Sequence, residues 1–76
     1  MSHLDRITVD PRIMGGRPCI RGMRFPVSRL LGLLAAGEDQ ATILQNHPDL
    51  QAEDIRQSLC YAALLADNQV VALRAA

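Results

Sequence analysis

Three prolines and three glycines crowd into residues 11–26 (Pro11, Gly15, Gly16, Pro18, Gly22, Pro26), and no helix survives that density of breakers. Everything up to Pro26 is therefore strand and turn material, and any helical core has to come from the residues after it. The apolar supply agrees with this division. Phe25 and Tyr61 are the two aromatics, so a core must be assembled from 11 Leu, 10 Ala, 5 Ile and 4 Val, a helical composition. With 76 residues the chain is at most one domain. It reads as a strand-and-turn segment over 1–25 and a helical part over 26–76, and it buries only roughly 60–65% of its unfolded surface.

Local signals place the elements. Arg6-Ile7-Thr8-Val9 alternates polar and apolar side chains, which predicts a half-buried strand that Asp10-Pro11 ends. Gly15-Gly16 marks a turn, and Arg17 to Arg21 is predicted as an extended segment able to pair with the first strand. From Pro26 the apolar residues Val27, Leu30, Leu31 and Leu34 follow helical spacing, and Gly37 suits the left-handed position just past a helix end. That predicts a helix over about 26–36. Asp39 is a natural cap for a second, Gln40 to Asn46, anchored by Ile43 and Leu44 and closed by Pro48. A third opens near Ala52, with Glu53 and Asp54 in its first turn facing the positive end of the helix dipole, and runs past Ala66. The fold expected is mainly α: a short N-terminal β element followed by three helices.

Eight acids balance eight bases, but all the bases are Arg and they are unevenly spread. Residues 1–29 hold six Arg against Asp5 and Asp10; residues 30–76 hold Arg56 and Arg74 against six acids. The chain is thus a charge dipole along its length. No apolar run approaches the ~20 residues of a membrane span, and the polar start carries no signal-peptide core, so a cytoplasmic protein is expected. Cys19 and Cys60, with His3 and His47, match no metal-ligand spacing, and the thiols read as small buried hydrophobes. The two histidines read as solvent or capping residues. No nucleophile elbow, phosphate loop, dinucleotide fingerprint or zinc-protease pair is present, so no catalytic residues, no metal and no cofactor are assigned and an enzyme is not expected.

At about 100° per residue the third helix sets Ile55, Leu59, Ala62, Ala66, Val70 and Leu73 in one stripe. Cys60, Leu64 and Val71 fall nearly opposite. A helix apolar on two sides needs two partners, and the second is read as another copy of the chain, giving a homodimer interface at Cys60, Leu64 and Val71. The alternative is that these three pack beneath the N-terminal strands of the same chain. Tyr61 fits either a core edge or an interface.

The segment Gly15-Gly16-Arg17-Pro18-Cys19-Ile20-Arg21-Gly22-Met23-Arg24-Phe25-Pro26-Val27 resembles the signature of domain-of-unknown-function family 433, Gly-Gly-x-Pro-x-Ile-x-Gly-Thr-Arg-Ile-Pro-Val. The similarity extends through the strand at Arg6 to Pro11, the Leu-rich helix, Ala36-Gly37 and Glu53-Asp54-Ile55, covering about residues 5–66. Two positions depart from the pattern. Met23 replaces Thr and removes a hydroxyl that could bond the loop backbone, and Phe25 replaces Ile. The resemblance implies a small helix-turn-helix-like domain of the kind placed as VapB-type antitoxins opposite a PIN-like ribonuclease toxin.

Under that implication, Gly16, Arg17, Arg21, Gly22 and Arg24 form a partner-binding loop: arginine forks reach toward acidic groups, and the glycines permit close approach. An inserted Arg could neutralise the acidic cluster that holds a nuclease's metal. Operator DNA is a second expected partner, with Arg6, Arg12, Arg17 and Arg56 supplying contacts, because Glu53 and Asp54 at the start of the third helix would repel phosphates. A stand-alone DNA-binding regulator is the alternative reading, and internal pairing with Asp5, Asp10 or the acidic second half is the bland alternative for any one Arg. Between neighbours, Arg21 is expected to face the partner and Arg24 to be held near Glu38 or Asp39.

Overall fold

The computed structural model describes residues 4–68. It comprises β1 (Ile7–Thr8), β2 (Cys19–Ile20), α1 (Val27–Ala35), α2 (Gln40–Asn46) and α3 (Ala52–Asn68). The two strands pair antiparallel, Ile7 opposite Ile20 and Thr8 opposite Cys19. This is the mainly helical fold with a short N-terminal sheet that the breakers and the leucine spacing predict. Among the described residues no helix is long and apolar enough to cross a membrane.

Each helix forms where its local signals put it. Pro26 stands one residue before α1 with an extended ψ of 142°, the pre-helical side of the boundary. Gly37 at φ 95° ends α1: its amide donates to Leu34 O, and the Glu38 amide donates back to Leu33 O, the paired bonds of a Schellman motif. Asp39 caps α2 by accepting from the Thr42 amide at 2.8 Å. That bond also holds the Asp39 carboxyl below its usual range. Replacing Asp39 with Ala is expected to cost about 1 kcal/mol and to lower the thermal midpoint by roughly 4–8 °C in a domain of this size. Calorimetry of the two proteins side by side reads the difference.

The core is small: Ile20 from β2, Val27 and Leu30 from α1, Ile43 from α2, Leu50 from the α2–α3 connection and Ile55 from α3. Here the expected α3 stripe needs correction. Ile55 is buried, but Leu59 is 50% exposed and Ala66 is exposed. The packed face carries Asp54, Ile55, Gln57 and Ser58 instead. An apolar stripe drawn at helical spacing misses a face turned inward by polar residues that have found partners. Ser58 donates to the Asp54 carbonyl, and the other two bond the N-terminal segment. Val70 and Leu73 of the stripe, and Val71 opposite it, lie outside the described residues.

Candidate functional site

Between β2 and α1 the chain reverses at Arg21-Gly22, whose φ values are 45° and 72°, with the Met23 amide closing on Ile20 O at 2.8 Å. Positive φ at both central residues is the type I′ pattern, which explains Gly22 but makes Arg21 an unusual occupant. The Gly22 amide is taken by the Thr8 hydroxyl at 2.8 Å. At Gly16 the cause is again conformational, with φ 83° in the turn over Met14–Gly16. Both glycines serve the loop's own backbone. That is a sufficient reason for them without a close partner.

The turn aims Arg21 at α3. Its Nε and Nη2 donate to the two carboxylate oxygens of Asp54 at 3.0 and 2.9 Å, and Nη2 also donates to Asp49 O. Arg6 reaches the same carboxylate at 3.1 Å and Gln51 Oε1 at 2.6 Å, and the Gln51 amide donates to Asp54 as well. Asp54 is completely buried at the third position of α3. Burial pushes its carboxyl up, but the bonds from Arg21, the Gln51 amide and Arg6 outweigh that and hold it below the usual carboxylate range. Beside it, Gln57 accepts from the Arg6 amide and donates to Asp5 and Glu53. A clamp of two arginines on one carboxylate thus fastens the N-terminal segment to the start of α3.

The expected division between the neighbouring arginines is accordingly reversed. Arg21 is the one tied to an acidic helix, while Arg24 is exposed and makes no ion pair with Glu38 or Asp39. The cause is the turn at Gly22, which swings Arg21 out of an extended course toward α3. Arg21→Ala is expected to lower the melting midpoint clearly, because it removes charged hydrogen bonds to a buried acceptor, and Arg24→Ala to leave it close to the parent's. Parallel melts that rank the two the other way would contradict the assignment.

The remaining arginines fall into two groups. Arg12 pairs locally with Asp10, and Arg56 pairs with Glu53 on the α3 surface, drawing the Glu53 carboxyl down to about 2 through the bonds from Arg56 and Gln57. With Arg6, three of the four residues expected to meet DNA are bound to carboxylates. Arg17, Arg24 and Arg29 are exposed and have no carboxylate partner among the described residues. Cys60 and Leu64, expected at a dimer interface, are half-buried, and Cys60 Sγ accepts from Arg56 at 3.7 Å.

Two grooves carry the uncommitted arginines. One, about 410 Å³, lies between the β2–α1 loop and the α2–α3 connection and is lined by Arg24, Phe25, Arg29, Asn46, His47 and Leu50 among others. The Arg29 guanidinium sits 4.7 Å from the centre of the Phe25 ring, and His47 meets that ring edge-on at 5.3 Å. The second, about 330 Å³, is mostly apolar, with Pro18, Val27, Leu31, Tyr61 and Leu65 below Arg17. Tyr61 is therefore a core-edge residue, half-buried against the cluster around Leu30. The sequence pattern pointed to neither the Asp54 clamp nor the Phe25–Arg29–His47 group. The acidic pair at the start of α3 and the departure at Phe25 were their visible traces.

Among known proteins, the family model described as "Protein of unknown function (DUF433)" matches residues 7–62. "Uncharacterized protein y4eO" of Sinorhizobium fredii (strain NBRC 101917 / NGR234) is 41% identical over 56 residues, which is 74% of this chain and 25% of that protein. The crystal structure of a DUF433 member protein from Anabaena variabilis ATCC 29413 superposes with a TM-score of 0.76 at 30% identity, over 84% of this chain and 63% of the other. The chain thus spans a quarter of the first relative's length and just under two thirds of the second's.

Proposed function

The chain belongs to the DUF433 family, and from that premise we propose that it is the antitoxin of a type II toxin–antitoxin pair, a cytoplasmic, non-catalytic protein that binds and blocks a PIN-like ribonuclease. The observation that carries the reading is the sorting of the arginines. Four are consumed internally, while Arg17, Arg24 and Arg29 stand exposed without a carboxylate partner among the described residues, Arg24 and Arg29 at one groove and Arg17 at the other. A nuclease that holds a divalent cation with clustered carboxylates is the kind of partner such a surplus fits.

The reading as a stand-alone DNA regulator is less favoured by the same geometry. A helix-turn-helix protein reads bases with the first turns of its recognition helix, and here that part of α3 is occupied by the N-terminal segment. Gln57, a candidate base reader, is buried, Gln51 accepts from Arg6, and Arg56 is paired with Glu53. Autoregulation of the promoter remains part of the proposal only as an act of the toxin-bound complex. In the same reading two copies associate along the α3 side bearing the half-buried Cys60 and Leu64. Light scattering at micromolar concentration tests that association, and a strict monomer removes it.

The deciding experiment takes the reading frames that flank this one, expresses any that is small and Asp-rich, and follows its cleavage of RNA in the presence of a divalent ion. Stoichiometric addition of this chain should abolish cleavage and give a complex on size exclusion. Full activity in its presence, together with tight binding of the free chain to its own promoter DNA, would overturn the antitoxin reading in favour of the regulator.

A further inference from the structure

We propose that the groove between the β2–α1 loop and the α2–α3 connection is a docking site for an acidic peptide segment of a protein partner, a carboxylate flanked by aliphatic side chains. The inference deepens the antitoxin reading and rests on it for the identity of the partner. The groove's own chemistry specifies what is bound. Its cations are Arg24 and Arg29, neither spent on a carboxylate, and its apolar wall is Met23, Phe25 and Leu50. Arg29 is already positioned, because its guanidinium rests on the Phe25 ring 4.7 Å from the centre, while the edge-on His47 ring fixes Phe25 from the other element. Side chains held in place before binding lose less entropy when a carboxylate arrives.

Charge and size favour a peptide over nucleic acid. A strand of nucleic acid follows a run of spaced cations, with affinity growing with each phosphate neutralised. Here the groove offers two arginines, with Asp49 also in its lining, so it suits one anionic group better than a run of them. Of the basic residues elsewhere among those described, Arg6, Arg12, Arg21 and Arg56 are paired with carboxylates, and Arg17 lines the other groove. About 410 Å³ holds two or three side chains, and the apolar wall gives an aliphatic neighbour of the carboxylate something to cover.

The test is a titration of the isotope-labelled full chain, followed by amide chemical shifts, with three probes: an acetylated and amidated Leu-Asp-Leu peptide, the same peptide with Asn for Asp, and a single-stranded oligonucleotide. The acidic peptide should shift the amides of residues 23–25, 29 and 46–50 saturably, and the Asn peptide should bind at least fivefold more weakly. Arg24→Ala and Arg29→Gln should each weaken the acidic peptide severalfold while melting like the parent protein. Shifts outside the groove, equal binding of the two peptides, or tighter binding of the oligonucleotide would overturn the proposal. A parallel nuclease arm separates the two readings. A double variant that still inhibits the ribonuclease fully removes the groove and keeps the antitoxin; a parent chain that takes the peptide but leaves the ribonuclease active removes the antitoxin and keeps the groove.

Discussion

Asp54→Ala is expected to cost about 3 kcal/mol and to lower the melting midpoint by roughly 10–25 °C, because the change leaves two arginines facing an emptied, buried position. Loss of one partner from a buried ion pair costs about 3–5 kcal/mol in general, and the low end applies because the Arg6 and Arg21 side chains keep 27% and 33% of their surface in water. For a domain whose total stability is on the order of 4–11 kcal/mol, that is a large share. The pH dependence carries a sign. The folded Asp54 carboxyl lies below its unfolded value of about 3.9, so its contribution is complete at neutral pH and is lost as pH falls below about 4 through the folded value. Urea midpoints measured from pH 7 to pH 3 should therefore fall for the parent more steeply than for Asp54→Asn. Parallel curves would locate the acid sensitivity in some other carboxylate.

Leu30→Ala is expected to cost about 3–4 kcal/mol, enough to leave a substantial unfolded fraction at 37 °C. Leu30 has no exposed surface and sits in a cluster of only six buried apolar residues, with no large aromatic among them to close over the space. Leu59→Ala is its control. The same chemical change at a half-exposed site should cost under about 1 kcal/mol. Chemical denaturation of the three proteins gives both numbers, and equal losses at the two sites would mean that the leucine of α3 is covered in solution by something other than this chain.

Those two leucines mark the boundary of what the sequence could reveal. Elements governed by neighbours along the chain were legible: α2 begins and ends at the residues that Asp39 and Pro48 indicate, and Gly37 takes the left-handed conformation its position past α1 requires. The inward face of α3 was not. Its orientation is decided by polar residues: Ser58 bonds back to Asp54 within the helix, but Asp54 and Gln57 become core residues only once Arg6 and Arg21 arrive from as far as 51 positions away. The same separation explains the arginines. Six positive charges in the first third are plain in the composition, but which are consumed depends on a turn that sets Arg21 at φ 45° and sends it toward α3, leaving Arg24 behind. The Phe25–Arg29–His47 group lay hidden for a related reason, since His47 belongs to a connection that nothing local draws toward Phe25.

The clamp on Asp54 also has a consequence in time. Within 27–68 both α1 and α2 pack against α3, whereas the clamp spans 48 and 33 positions and must close those loops before it returns any energy. On the reading that this closure follows the rate-limiting step of folding, the clamp governs how slowly the chain unfolds and has little part in how fast it folds. In stopped-flow experiments Asp54→Asn should steepen escape from the native state while leaving the refolding rate close to the parent's. A protein whose residence in the folded state is set by one carboxylate has a lifetime that acid shortens, whatever its rate of formation.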